Sequence, residues 1–342
     1  MINPDKNHEY LVKKIEPKLS KVLAESFEEG KIEIEKKFLE LTGVKTIEEN
    51  ACPLNLTIER DEDKGDYRLI RFTFESEREE IVPCYLLIPR LPQKQKYPVA
   101  ITLQGHSTGF HNSIGEAKYE GDEKNYPRTC FALQAVKEGF IALAIEQRGL
   151  GERKTQNERL YGGQDCRHAS MVAIHLGRTL IGERIWDIKR AIDALENFPE
   201  CDLDKIIITG NSGGGTASYY AACYDKRIKI CAPSCSVCTY RDSILSLGHC
   251  TCNYIPFAYQ YFEMADLACM IAPRNILLLA GKKDTIFPIE GVRRAFQTIQ
   301  NVYKRTNATE NCKLIETEKG HMWCDDLIWP AIKKECERLG WR

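Results

Sequence analysis

The chain has 342 residues, with 48 Lys and Arg against 49 Asp and Glu, so its formal net charge is −1. Hydrophobic residues make up 43% and charged residues 28%, the composition of a folded globular chain. The near-zero charge argues against a nucleic-acid binder, which needs surplus Lys and Arg. The absence of any run of 18 apolar residues argues against a membrane-spanning helix.

In chain order, Leu11, Ile15, Leu19, Val22, Leu23 and Phe27 recur at helical spacing. Pro17 fits only at a helix start or kink; Gly30 is expected to end the helix, and a second short helix is expected over Ile32 to Leu41. Residues 67–75 and 81–88 read as two β-strands joined by a charged turn, hence antiparallel. Short apolar runs follow at 99–103, 140–145, 206–209, 228–232, 276–280 and 313–317, the pattern of strands buried on both faces of a parallel sheet. Helical patterns lie between most of them, clearest at Ile181, Ile185, Ile188, Ile192 and Leu195. The expected architecture is α/β: an eight-stranded, mostly parallel sheet with helices on both faces. Residues 1–64 are expected to form a helical extension packed on a catalytic domain of residues 65–342, with a small lid insertion at about 234–266. Residues 105–128 and 234–266 break the βα rhythm, and such insertions at the carboxyl ends of parallel strands are where ligand sites form.

Residues 1–10 are polar and lack a signal-peptide core, so the 15 cysteines are expected as buried thiols in a reducing cytoplasm. Cys231, Cys235 and Cys238 have an iron–sulfur-like spacing, and His249, Cys250 and Cys252 could begin a zinc site. Neither set has a second half at typical spacing, so both are expected to be small core side chains, with no metal.

Chemistry concentrates at Gly210-Asn211-Ser212-Gly213-Gly214, between the strand at 206–209 and a small-residue helix start. A Gly-x-Ser-x-Gly in that context is a nucleophile elbow, with Ser212 above the sheet. A serine hydroxyl needs a base oriented by a carboxylate, and the chain order in this fold is Ser, acid, His. Among the seven histidines only His321 lies beyond the last expected strand, and Asp284 follows the strand at 276–280. The expected catalytic set is Ser212, Asp284 and His321, with Asp325 and Asp326 better placed as helix N-cap and first-turn residues. The oxyanion donors are expected to be the N–H of Gly213 and that of His106 in Gln104-Gly105-His106-Ser107, with Ser107 as the alternative.

These motifs, with Glu146-Gln147-Arg148-Gly149-Leu150-Gly151 after the fourth of the eight strands, resemble the α/β-hydrolase superfamily over roughly residues 65–342. The stretches at 178–187 and 249–256 are similar to the bacterial acetyl-xylan-esterase-like and dienelactone-hydrolase-like branch. Two departures stand out: dienelactone hydrolases use a cysteine nucleophile where this chain has Ser212. Cephalosporin-deacetylase-type esterases usually have His-Gly-Tyr where it has Gln104-Gly105-His106. The resemblance implies a serine carboxylic-ester hydrolase acting on a small-molecule or oligosaccharide ester, such as an acetyl ester, without a cofactor. Trp323, Tyr254 and Phe257 are candidate substrate contacts, and an Arg148–Glu183 ion pair is a candidate brace for the elbow. A prolyl-oligopeptidase-type peptidase, an acyltransferase on the same triad and a non-enzymatic binding module are the alternatives. No nucleic-acid or membrane partner is expected, and a homo-oligomer is left open.

Overall fold

The computed structural model describes residues 3–90, 96–157 and 166–341. Its centre is one nine-stranded sheet: β1 (Thr57–Asp63), β2 (Tyr67–Glu77), β3 (Glu80–Pro89), β4 (Tyr97–Leu103), β5 (Ile141–Ile145), β6 (Cys201–Asn211), β7 (Ile228–Ser234), β8 (Asn275–Gly281) and β9 (Cys312–Thr317). The spatial order is β1-β2-β3-β5-β4-β6-β7-β8-β9. The first three strands run antiparallel and β3 pairs antiparallel with β5; from β5 to β9 every pairing is parallel. This is the α/β-hydrolase arrangement, with one strand more than expected. β1 reads TIERDED and is mostly exposed, so it carries none of the apolar alternation that marks a strand. Its charges suit a sheet edge, where they discourage further pairing. It also draws residues 57–63, expected in the N-terminal extension, into the sheet.

Alternate side chains of the strands feed two separate cores. Ile101, Leu143 and Ile208 point to one face; Ala100, Ala142, Ile207 and Leu277 point to the other. Period-two alternation with both faces covered explains why β4 and β5 are buried at every position. On the first face lie α7 (Leu180–Ala194) and α8 (Gly213–Tyr224), numbered after the helices α1 (Lys6–Lys14), α2 (Lys18–Glu25), α3 (Phe27–Thr42), α4 (Val44–Glu48), α5 (Phe131–Lys137) and α6 (Arg167–His175). On the second face lie α5 and the C-terminal helix (Asp325–Arg338), joined through Phe131, Trp323 and Trp329.

A helix starts after Pro17, as expected, but the next break falls at Ser26 and Gly30 sits inside α3. A Cβ on Gly30 would lie 2.3 Å from the Leu23 Cα, so the glycine permits the close crossing of α2 and α3 and does not end a helix. Ile34 and Phe38 are fully buried, and the Phe38 ring lies 5.9 Å from Tyr220 of α8.

Candidate active site

The sharpest backbone feature is the turn from β6 into α8. Ser212 adopts φ 55° and ψ −122°, a conformation that costs an L residue on the order of 1–3 kcal/mol. Glycines on both sides make it possible. A Cβ at Gly210 would meet the Leu103 carbonyl at 2.4 Å, and one at Gly214 would meet it at 2.1 Å. The turn is held from β7, where the Ser234 carbonyl accepts from Ser212 N–H at 2.9 Å and the Ser234 hydroxyl donates to Asn211 at 3.0 Å.

Asp284 follows β8 and His321 follows β9, so neighbouring strands deliver both to the same rim. His321 Nδ1 lies 2.8 Å from Asp284 Oδ2. The other oxygen of Asp284 accepts from the N–H groups of Ile286 (2.8 Å) and Phe287 (2.9 Å). Burial alone would raise this carboxyl. The hydrogen bond from His321 and those two N–H groups outweigh it and hold the pKa below the ordinary carboxylate range. The Phe287 ring stacks 5.9 Å from His321 and limits its tilt.

Ser212 and His321 line one cavity of about 740 Å³. No hydrogen bond joins the two side chains among the described residues, and in free enzymes such contacts often tighten only when substrate binds. Gln104, Gly105, His106 and Ser107 lie on the same wall. A Cβ at Gly105 would sit 3.2 Å from Ser212 Cβ, so this loop lies directly against the elbow. Among the described residues the backbone N–H groups of Gly213, His106 and Ser107 donate to no partner, which leaves all three open as anion donors.

Sequence reasoning missed what holds that loop. The Gln104 side chain donates to Glu146 Oε1 at 2.8 Å, the Gln147 side chain donates to the Gln104 carbonyl at 2.6 Å, and Phe110 N–H donates to Glu146 Oε2 at 3.2 Å. Glu146 is fully buried, and burial pushes its pKa up to about 7 against the hydrogen bonds it accepts from Phe110 and Glu152 N–H. The second half of the loop closes on His111 and Asp122, paired at 2.9 Å, with Thr108 also donating to Asp122 at 2.6 Å.

Other expected contacts are placed differently. Trp323 lines the cavity, yet it is also core: its ring lies 4.5 Å from Phe131 and its Nε1 donates to Gln134. Tyr254 and Phe257 are not on the cavity wall. Phe257 is 66% exposed in a left-handed backbone conformation, while Gly248, His249, Cys250 and Asn253 of the same insertion do line the cavity. Arg148 meets Glu183 at only 3.6 Å. Its short bonds go to Asp187 (2.9 and 3.0 Å) and Glu77 (2.7 Å), so it clamps α7 to the β2–β3 turn and not to the elbow. Cys231, Cys235 and Cys238 bond separately to the carbonyls of Ser218, Met322 and Pro288. His249 turns to Ser243 at 2.9 Å and lines the cavity, apart from Cys250 and Cys252.

A family model described as the Abhydrolase family matches residues 8–323. The chain belongs to that family. Among its relatives, "Putative hydrolase YtaP" of Bacillus subtilis (strain 168) is 24% identical over 272 residues, 79% of this chain and 87% of that protein. Among solved structures, "a putative acetyl xylan esterase" from Bacteroides fragilis superposes with a TM-score of 0.79 at 16% identity, covering 98% of this chain and 95% of that one. A glucuronoyl esterase from Solibacter usitatus gives a TM-score of 0.63 at 13% identity, covering 87% and 91%. At these identities the structural likenesses bear on the fold. The hydrolase sheet places the turns after β6, β8 and β9 along one carboxyl edge, the rim that carries Ser212, Asp284 and His321. Among the described residues no helix is long and apolar enough to cross a membrane.

Proposed function

We propose that the chain is a serine carboxylic-ester hydrolase acting on a small or carbohydrate-linked ester, such as an acetyl ester. The observation that carries this reading is the His321–Asp284 hydrogen bond on the wall of the same cavity as the strained Ser212. In this mechanism His321 Nε2 takes the Ser212 proton as Oγ attacks the ester carbonyl carbon. Gly213 N–H, with His106 or Ser107 N–H, stabilises the oxyanion. The tetrahedral adduct expels the alcohol, which leaves with the proton from His321. Water then attacks the acyl-enzyme by the same route and releases the acid. Asp284 holds the imidazole with Nδ1–H toward it, so that Nε2 faces Ser212.

The cavity supports the substrate class. Asn112, Asp122, Asn125 and Arg128 contribute polar groups to its lining, and Phe131, Phe287 and Trp323 contribute apolar surface. That mixture suits an ester whose alcohol side carries hydroxyls, and the names of the structural relatives include an acetyl xylan esterase and a glucuronoyl esterase. We further place the protein in a reducing compartment, since none of its 15 cysteines is in a disulfide among the described residues. We divide it into a helical N-terminal extension and a catalytic domain.

Ser212→Ala is expected to lower turnover of a short-chain aryl ester at least about 10³-fold, with the circular dichroism of the folded chain retained. Undiminished turnover, or cleavage of a dipeptide amide as fast as the ester, would contradict the reading.

A further inference from the structure

Beside the cavity, three loops distant in sequence bring together four metal-binding atoms that the proposed hydrolysis does not use. His106 comes from the loop after β4, Cys166 from the start of α6, and Cys250 and Cys252 from the insertion after β7. One ligand atom from each lies within 4.8 Å of every other. His106 Nε2 is 3.5 Å from Cys166 Sγ and 3.5 Å from Cys252 Sγ. A tetrahedral zinc with Zn–S near 2.3 Å and Zn–N near 2.05 Å has S···N edges of about 3.5 Å. The observed separations are those edges.

Charge points the same way. Arg184 is 1% exposed, and among the described residues no carboxylate pairs with it. Its Nε and Nη2 donate to the Arg148 carbonyl, and Nη2 also lies 3.0 Å from Cys166 Sγ. A lone buried guanidinium is costly unless a negative group faces it. Three thiolates, one neutral imidazole and one Zn²⁺ sum to −1. Leu150 and Leu180 pack around Cys166 and Cys252 and supply the apolar shell in which such a charge pair is strong.

We propose that His106, Cys166, Cys250 and Cys252 form a closed, structural Cys₃His zinc site. Binding forms three Zn–S bonds and one Zn–N bond and releases three thiol protons to solvent. Thiolate and imidazole donors select zinc over magnesium or calcium. With four protein ligands no position is open for water, so the ion ties the His106 loop, α6 and the insertion together and takes no chemical step. The proposal rests on the donor geometry and not on the ester-hydrolase reading.

The test is elemental analysis of the full-length chain, purified with reductant and without chelator, followed by replacement of the metal with Co²⁺. The expected result is about one zinc per chain, and a cobalt form showing thiolate-to-cobalt charge transfer with the strong d–d bands of tetrahedral coordination. Zinc should fall to about a tenth or less per chain in a Cys250→Ser/Cys252→Ser double variant and stay near one in Cys52→Ser. It should also stay near one in Ser212→Ala, which separates this site from the fate of the nucleophile. The wild-type cobalt spectrum decides the matter even if the double variant fails to fold. Wild-type protein that takes up neither zinc nor cobalt after reduction overturns the proposal, as does a cobalt spectrum lacking thiolate charge transfer. A disulfide among Cys166, Cys250 and Cys252 in protein prepared with reductant overturns it as well.

Discussion

Gly214 illustrates how little freedom the residues around Ser212 have. A methyl group there would lie 2.1 Å from the Leu103 carbonyl and 2.6 Å from that of Gln104, both rigid backbone atoms. Gly214→Ala is therefore expected to destabilise the fold by about 1–3 kcal/mol, read as a lower urea midpoint. It should also lower kcat, because the displaced backbone carries the candidate oxyanion donors. Asp284→Asn probes a different property of the same site. The amide oxygen can still accept from Ile286 and Phe287 N–H, so the turn survives. The imidazole loses the carboxylate that selects its tautomer. A fall in kcat of about 10⁴-fold with an unchanged melting temperature is expected, as for a triad whose acid only orients the base.

At the scale of elements, two attachments decide stability away from the cavity. The first is the docking of α3 on α8 through Phe38, a fully buried ring. Phe38→Ala is expected to cost about 3–5 kcal/mol in chemical denaturation and to leave the KM for a small ester unchanged, since Phe38 does not line the cavity. The second is the clamp around Asp187 on α7. Asp187 is 2% exposed and accepts from Arg148 at 2.9 and 3.0 Å and from Arg153 at 2.8 Å. Removing it deprives both guanidinium groups of a buried partner, while Arg148 keeps Glu77 and Arg153 keeps Glu80 and the Glu146 carbonyl, so Asp187→Ala is expected to destabilise by about 1–3 kcal/mol.

Over the whole molecule, buried carboxyl groups oppose one another in their response to pH. Burial works against ionised Asp187, but Arg148 and Arg153 overcome it and bring its pKa down to about 2. Such a group adds stability above its unfolded pKa, near 3.9, and loses it as pH falls toward 2. Glu146 has the opposite sign. Its folded pKa of about 7 exceeds the unfolded value near 4.3, so the native state keeps a proton that the unfolded chain has released. Its contribution is fully present below about pH 4 and is lost as pH rises to 7, by up to about 3 kcal/mol. Thermal melts of Glu146→Gln against the parent between pH 4.5 and 7 should show a smaller decline in melting temperature for the variant. An equal decline would exclude Glu146 as the source.

The same scale shows how much of the molecule is legible in its residues. The parallel strands are, because burial on both faces makes them continuous apolar runs such as ILLLA at 276–280. Ser212 and the paired Asp284 and His321 follow from an elbow pattern together with chain order. β1 is not, since a charged edge strand has no hydrophobic period to detect. The two glutamines and Glu146 that pin the oxyanion loop escape for another reason: their partners lie about 40 residues away, and polar contacts leave no spacing rule. His106 and Cys166, which complete the thiol cluster, lie 60 residues apart and meet only through the fold.

The most direct measurement is intact-mass and peptide analysis after brief exposure of the full chain to an aryl acetate, quenched in acid. One acetyl group per chain on Ser212, absent in Ser212→Ala and formed far more slowly in His321→Ala, is the expected result. An acetyl group on another residue with turnover intact, or rapid turnover in Ser212→Ala, would contradict an acyl-enzyme at this serine.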